Sequence, residues 1–314
     1  MAPRICPLNR TVKTWLLLVV GILGISTSTL WIRLATDTSV MDEVQLAFLR
    51  LALAIPVLVI LARMEKNQEK VPLQQCGWAV IIAGASLALH FGAWMASLAY
   101  LSVATSVVLV YLHPVIIYAI EVARGSAPFQ WAKIGGVILT LAGTTVLAFF
   151  AEEESDPSVA DQKLWGMLLS VIGSLAFVGY LLAGRKATQV MSTVTYASRA
   201  YSVAAIGLLM WLLVMGGRVL PQTPTGWGFA GLLALFPTLL GHTPLNAALK
   251  RLPPTVVSTT YLGEMAGAPL LVWLFIQEAP PSSFWIGGPM VIAGIMAVAW
   301  KSESEVAKDK DATG

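Results

Sequence analysis

Stretches of about twenty apolar residues recur along this chain from near its start to near its end. Each is long enough to cross roughly 30 Å of hydrocarbon at about 1.5 Å per residue. A backbone placed there meets no water, so its N–H and C=O groups must be satisfied within the protein, which for an unpaired segment means an α-helix. Ten transmembrane helices are predicted, over 14–34, 43–62, 77–99, 104–122, 132–150, 164–184, 194–215, 228–249, 255–276 and 284–300. Only 12% of the 314 residues are charged, about half the share in a soluble domain. The first run follows Arg4, Arg10 and Lys13 but is too long for a signal peptide and lacks a small-residue cleavage site, so it is expected to stay as a helix. Cys6 and Cys76 match no metal or redox spacing, and no cofactor is expected.

The basic residues orient the chain. With the N-terminus placed in the cytoplasm, fifteen of the twenty Lys and Arg fall on inner loops and tails and only Arg33, Lys163 and Arg218 on the outer side. Such an excess marks the cytoplasmic face, so both termini are expected there, in a multi-pass protein of the cell membrane. On that side Asn9-Arg10-Thr11 matches the glycosylation pattern by chance. The remaining two, Arg50 and Arg199, lie one to two turns inside their helices and are expected to snorkel to the interface. A net charge of +3 spread over many loops forms no patch for nucleic acid.

An internal repeat is visible when the chain is slid by 151 or 152 residues. "GILGISTSTLWIRLA" (21–35) then lies on "GSLAFVGYLLAGRKA" (173–187), Leu101 on Leu252, Gly136 on Gly287, and Ala142-Gly143 on Ala293-Gly294. Five helices per copy is an odd number, so the copies face opposite ways across the bilayer, as inverted repeats do in many secondary transporters. The expected organisation is a first repeat with its cytoplasmic tail over 1–150, an acidic outer linker over 151–163, a second repeat over 164–300 and a cytoplasmic tail over 301–314. With ten helices as five plus five, "STLWIRLA" leading into "VQLAFLRLALAIPVLV", and the long run from "VVSTTYLGEMAGAPLL" to "MVIAGIMAVAW", the chain resembles the drug/metabolite transporter superfamily, EamA type. The resemblance implies a secondary transporter, most often an exporter of amino acids or related metabolites. It also implies a Glu-Pro pair in each repeat, where this chain has His113-Pro114 and Glu264-Met265, and a later acid present as Glu278 but replaced by Ala127 in the first repeat.

His113 and Glu264 fall on one another in the repeat alignment, each near the centre of its span. Glu264 is the one acid placed deep in the bilayer, where an unpaired charge costs about 3 kcal/mol on insertion scales. It must face a cavity, pair, or stay protonated, which marks it for a substrate amine or a coupling proton; the plainer reading is a protonated acid bonded to a neighbouring helix. His90, His113 and His242 all fall inside spans, where each is either a structural ring or a contact to solute or proton. Trp94, Tyr111, Tyr180 and Tyr261 lie at similar depth with Asn246, and such residues serve equally as packing or as the wall of a small-molecule cavity. No two His, Asp or Glu residues inside the spans stand three or four apart, so no metal is expected.

Because no Lys or Arg is expected at the centre of a span, a phosphorylated solute is disfavoured and a neutral, zwitterionic or cationic one favoured. The function expected is an exporter of small metabolites working by alternating access, with protons as a candidate coupling ion and the bilayer as its environment. A multidrug efflux carrier is the first alternative and a membrane-embedded enzyme acting on lipid the second, although no Ser/His/Asp array, H-E-x-x-H or P-loop is present. A homodimer is compatible with the sequence. The orientation predicts that a cysteine placed at Ser155, after replacement of Cys6 and Cys76, reacts with an impermeant thiol reagent on intact cells, whereas one at Asn67 does not. The reverse pattern would overturn it.

Overall fold

The computed structural model describes residues 7–37, 41–65, 73–101, 103–149, 163–277, 279, 280 and 282–312, all helical or in short connections, with no strand among them. Residues 151–162 of the expected linker, Cys6 and Glu278 lie outside the described residues. Among the described residues, seven stretches are long and apolar enough to cross a membrane: Val12–Ile32, Glu43–Met64, Gly77–Ser97, Thr105–Ala123, Lys163–Val190, Thr193–Met215 and Pro224–Leu249. The shorter apolar helices Trp131–Leu147 and Phe284–Ala299 accompany them.

In chain order the helices are α1 (Pro7–Asp37), α2 (Glu43–Met64), α3 (Leu73–Ser97), α4 (Val103–Val110), α5 (His113–Ala123), α6 (Trp131–Phe149), α7 (Lys163–Val190) and α8 (Thr193–Met215). They continue with α9 (Pro224–Leu233), a π-helical segment (Ala234–His242), α10 (Thr243–Leu249), α11 (Pro254–Tyr261), α12 (Glu264–Ile276) and α13 (Phe284–Ala312), which runs on through most of the expected tail. Starts are set locally: Asp42, Ser192 and Thr223 each accept a bond from the backbone N–H three residues on, satisfying a donor that the first turn leaves free.

Three of the expected spans are interrupted. The fourth breaks between Val110 and His113, because Pro114 lacks an N–H and cannot continue the ladder. The ninth breaks between Tyr261 and Glu264, where Leu262, Gly263 and Met265 all donate to carbonyls three residues back. In the eighth, Pro237 lies within the π-helical segment and Pro244 opens the α-helix that follows it. Hydroxyls take up the carbonyls that this leaves: Thr238 donates to Leu233 and Thr243 to Thr238. In hydrocarbon such repair from within is what makes a broken helix tolerable.

With apolar side chains on both protein and lipid, packing quality decides which helices meet. α3 packs along α7, α2 along α8, α1 along the π-helical segment and α6 along α13. In the last pair a Cβ on Gly136 would lie 3.0 Å from the Gly294 carbonyl oxygen, and one on Gly143 2.7 Å from that of Gly287. Leu16, Leu23, Ile60, Ile138 and Leu213 point outward, while Tyr180, Tyr196 and Tyr201 are fully enclosed.

This closeness gives a stability prediction. Gly143→Val forces α6 and α13 apart and should destabilise the protein by about 1–3 kcal/mol. Gly135→Ala, with nothing within 4 Å of the added carbon, should melt no lower than the parent. Thermal unfolding of the purified protein in detergent checks both.

Candidate solute-binding site

The interrupted spans converge on one cavity of about 50 Å³, lined from α1, α2, α3, α4, α7, the π-helical segment and the two broken spans. That is room for a few waters, so a larger solute requires the helices to separate. His90, Trp94, Tyr111, His113, His242, Tyr261 and Glu264, all singled out in the sequence, line it. Tyr180 and Asn246 do not. Tyr180 donates to Asn246 Oδ1 at 2.8 Å and Asn246 donates to the Tyr201 hydroxyl at 3.1 Å, a buried chain that braces α7, α8 and α10 behind the wall.

The breaks deliver the two aligned residues. His113 opens α5 and Glu264 opens α12, each at an N-terminus where the helix dipole presents positive charge. That end suits the Glu264 carboxylate, whose Oε2 accepts from the Tyr111 hydroxyl at 3.4 Å. His113 Nδ1 lies 2.6 Å from Ser258 Oγ, joining α5 to α11. Tyr111 stands edge-on to the His113 ring at 5.7 Å, so both neighbours of the break are fixed.

Phe177 holds the rings together. Its centroid is 4.7 Å from those of His90 and His113 and 5.0 Å from that of Tyr261. His90 Nδ1 is 2.9 Å from the Gly173 carbonyl, which can only accept, so Nδ1 carries the proton and faces away from solute chemistry. His242 Nδ1 is 3.2 Å from the Tyr261 hydroxyl.

Arg50 overturns one sequence expectation. It does not snorkel but is 4% exposed and lines the cavity. Its Nε donates to Thr238 Oγ1 at 3.0 Å, and its guanidinium lies 5.1 Å from the Phe91 centroid. Thr238 is available because the π-helical turn rotates it inward, so the prolines of span eight and the Arg of span two form one device. Nη2 has no hydrogen-bond partner among the described residues, nor has Trp94 Nε1. A cation therefore does stand in the cavity wall, and an anionic group on the solute is not disfavoured, contrary to the sequence expectation. Arg50, Phe91, Phe177, Thr238 and Ser258 were missed as site residues; the one sequence signal was a charge inside an apolar run.

Toward the ends of α5 and α7 that are basic in sequence, the bundle is shut. Thr255 donates to Glu121 Oε2, Arg185 donates to the carbonyls of Leu249 and Leu252, and all of α11 is buried.

The EamA-like transporter family model matches the chain twice, over residues 11–149 and 164–300. An uncharacterised transporter of Bacillus subtilis (strain 168), YwfM, is 25% identical over 194 residues, 57% of this chain and 62% of that protein, so the match spans less than two thirds of the relative. A solved structure described only as the crystal structure of a protein superposes with a TM-score of 0.74 at 18% identity, covering 92% of this chain and 98% of that one, which shows a shared fold.

Phe177→Ala should open a void and cost about 3–5 kcal/mol, whereas Phe177→Leu should cost less. Melting temperatures of the two variants measure it, and equal stability would show that the ring does not organise the site.

Proposed function

The chain belongs to the EamA-like transporter family, and from that premise we propose a secondary transporter that exports small amino compounds, amino acids foremost, through this cavity by alternating access. Multi-pass membrane embedding and transport of small solutes come with the family; the solute class, direction and mechanism are the proposal. The observation that carries it is Glu264: a carboxyl inside the bundle, at the break of span nine, lining a cavity and making no ion pair with Arg50 among the described residues. A carboxylate so placed needs a cation from the solute or a proton. Binding either one relieves the same charge, and that shared requirement would couple solute movement to protons.

Two copies in opposite orientation would supply the alternation. The reciprocal packing of α6 and α13 favours this arrangement. Gly136 meets Gly294 and Gly143 meets Gly287, while the repeat alignment sets Gly136 on Gly287 and Gly143 on Gly294. Contacts that exchange under the alignment are those expected of equivalent helices about a twofold axis. In the proposed topology the ten spans leave both termini in the cytoplasm of a cell membrane, with the shut end of α11 facing inward and the cavity poised toward the outside. The carrier acts on position, not on bonds, and is not an enzyme.

Glu264→Gln keeps the shape and removes the charge. Hydrogen bonds to charged groups are worth about 1.5–3 kcal/mol, so transport in proteoliposomes should fall roughly tenfold to a hundredfold, or lose its pH dependence, with expression near normal. His113→Ala should weaken transport less. Parental transport and pH dependence in Glu264→Gln would show that the acid is structural.

A further inference from the structure

We infer that Arg50 is the carboxylate anchor of the transported solute, so that the site selects bipolar compounds carrying both an amine and a carboxylate over amines alone. This rests on the reading of Glu264 as the amine partner and deepens it. A guanidinium held in a bilayer has to meet acceptors. Of the described groups around Arg50, Thr238 takes Nε and the Phe91 ring takes one face, yet Nη2 is unmatched in a residue that is 4% exposed and lines the cavity. The Thr238 hydroxyl cannot turn away, because it donates to the Leu233 carbonyl at 2.9 Å. The guanidinium is thus clamped at its Nε edge and on its face, with an unmatched donor left beside the cavity. A planar fork presented in this way suits the two oxygens of a carboxylate.

The second unmatched donor, Trp94 Nε1, belongs to the same lining, whereas the acidic group there is the Glu264 carboxyl. A cavity with spare donors and a separate carboxyl has the polarity of a zwitterion reversed. The Arg50 charge lowers the cost of the Glu264 carboxylate without replacing a bound partner, since opposite charges in one low-dielectric space attract each other at a distance. A simple amine would satisfy Glu264 and leave the guanidinium unmet. A simple carboxylate would do the opposite. The bipolar solute meets both, and for that reason it is preferred.

The test uses matched probes that differ only by the carboxylate: L-leucine with isoamylamine, L-phenylalanine with phenethylamine, and L-lysine with cadaverine. Binding of each to the purified full-length protein in lipid nanodiscs is titrated by thermal shift. In the parent, the amino acid of at least one pair should bind on the order of tenfold or more tightly than its amine. Arg50→Met should abolish that preference by weakening the amino acid far more than the amine, and Arg50→Lys should retain part of it. Should Arg50→Met fail to fold, the parent's preference and Arg50→Lys decide the matter. An amine bound as tightly as its amino acid in the parent, or a full preference in folded Arg50→Met, overturns the anchor while leaving the Glu264 reading intact. Binding of no member of any pair overturns both.

Discussion

Hydrocarbon offers no hydrogen bonds, and every unusual feature of this bundle answers that constraint at one place. Arg50 and Glu264 are charged residues inside the membrane-spanning bundle, and both line the same cavity. To hold Arg50, the eighth span abandons α-helical geometry for a π-helical turn that brings Thr238 against the guanidinium. π-Helical turns are rare and concentrate at functional positions, because they rotate side chains at the expense of the ladder. To hold Glu264, the ninth span breaks and presents a helix N-terminus, with the Tyr111 hydroxyl reaching across from the break in the fourth.

The same breaks divide the molecule mechanically. α3, α7, α6 and α13 are long helices locked side by side through close-packed small residues, whereas α5 and α11 meet through polar contacts at His113–Ser258 and Glu121–Thr255. Hydroxyl-mediated contacts can be exchanged for others at modest cost, while interleaved backbones cannot part without opening voids. Motion in the proposed cycle is therefore expected at the broken spans, with the glycine-packed pairs moving as solid bodies. A site built at the breaks is one that such motion alternately uncovers.

Much of this was legible in the sequence, for reasons that differ from residue to residue. Apolar length fixed the helices, and the shift of 151 residues placed His113 opposite Glu264, which the structure brings into one cavity. Pro114 announced the first break. The break before Glu264 had no such signal, since Met265 follows it and only Gly263 hints at weakness. Arg50 is expected to snorkel from the sequence because depth along a helix says nothing about which face a side chain takes, and the face is set here by Thr238 of the π-helical segment. Phe177 and Phe91 were invisible for a similar reason: an apolar residue in an apolar run carries no mark of the neighbour it will meet. Tyr180 and Asn246 were placed at the right depth but on the wrong side of the wall, where they satisfy each other.

The central claim, that one buried site is exposed alternately to the two sides, is tested most directly by distances across the two ends. Spin labels at Arg124 and Lys250, exposed positions on the proposed inner face, and at Lys163 and Gln222 on the outer face report each end in turn. In nanodiscs, pulsed dipolar measurements with and without saturating solute should show both distances shifting, one lengthening as the other shortens. Two distances that stay fixed, or that lengthen and shorten together, would contradict alternating access through this cavity.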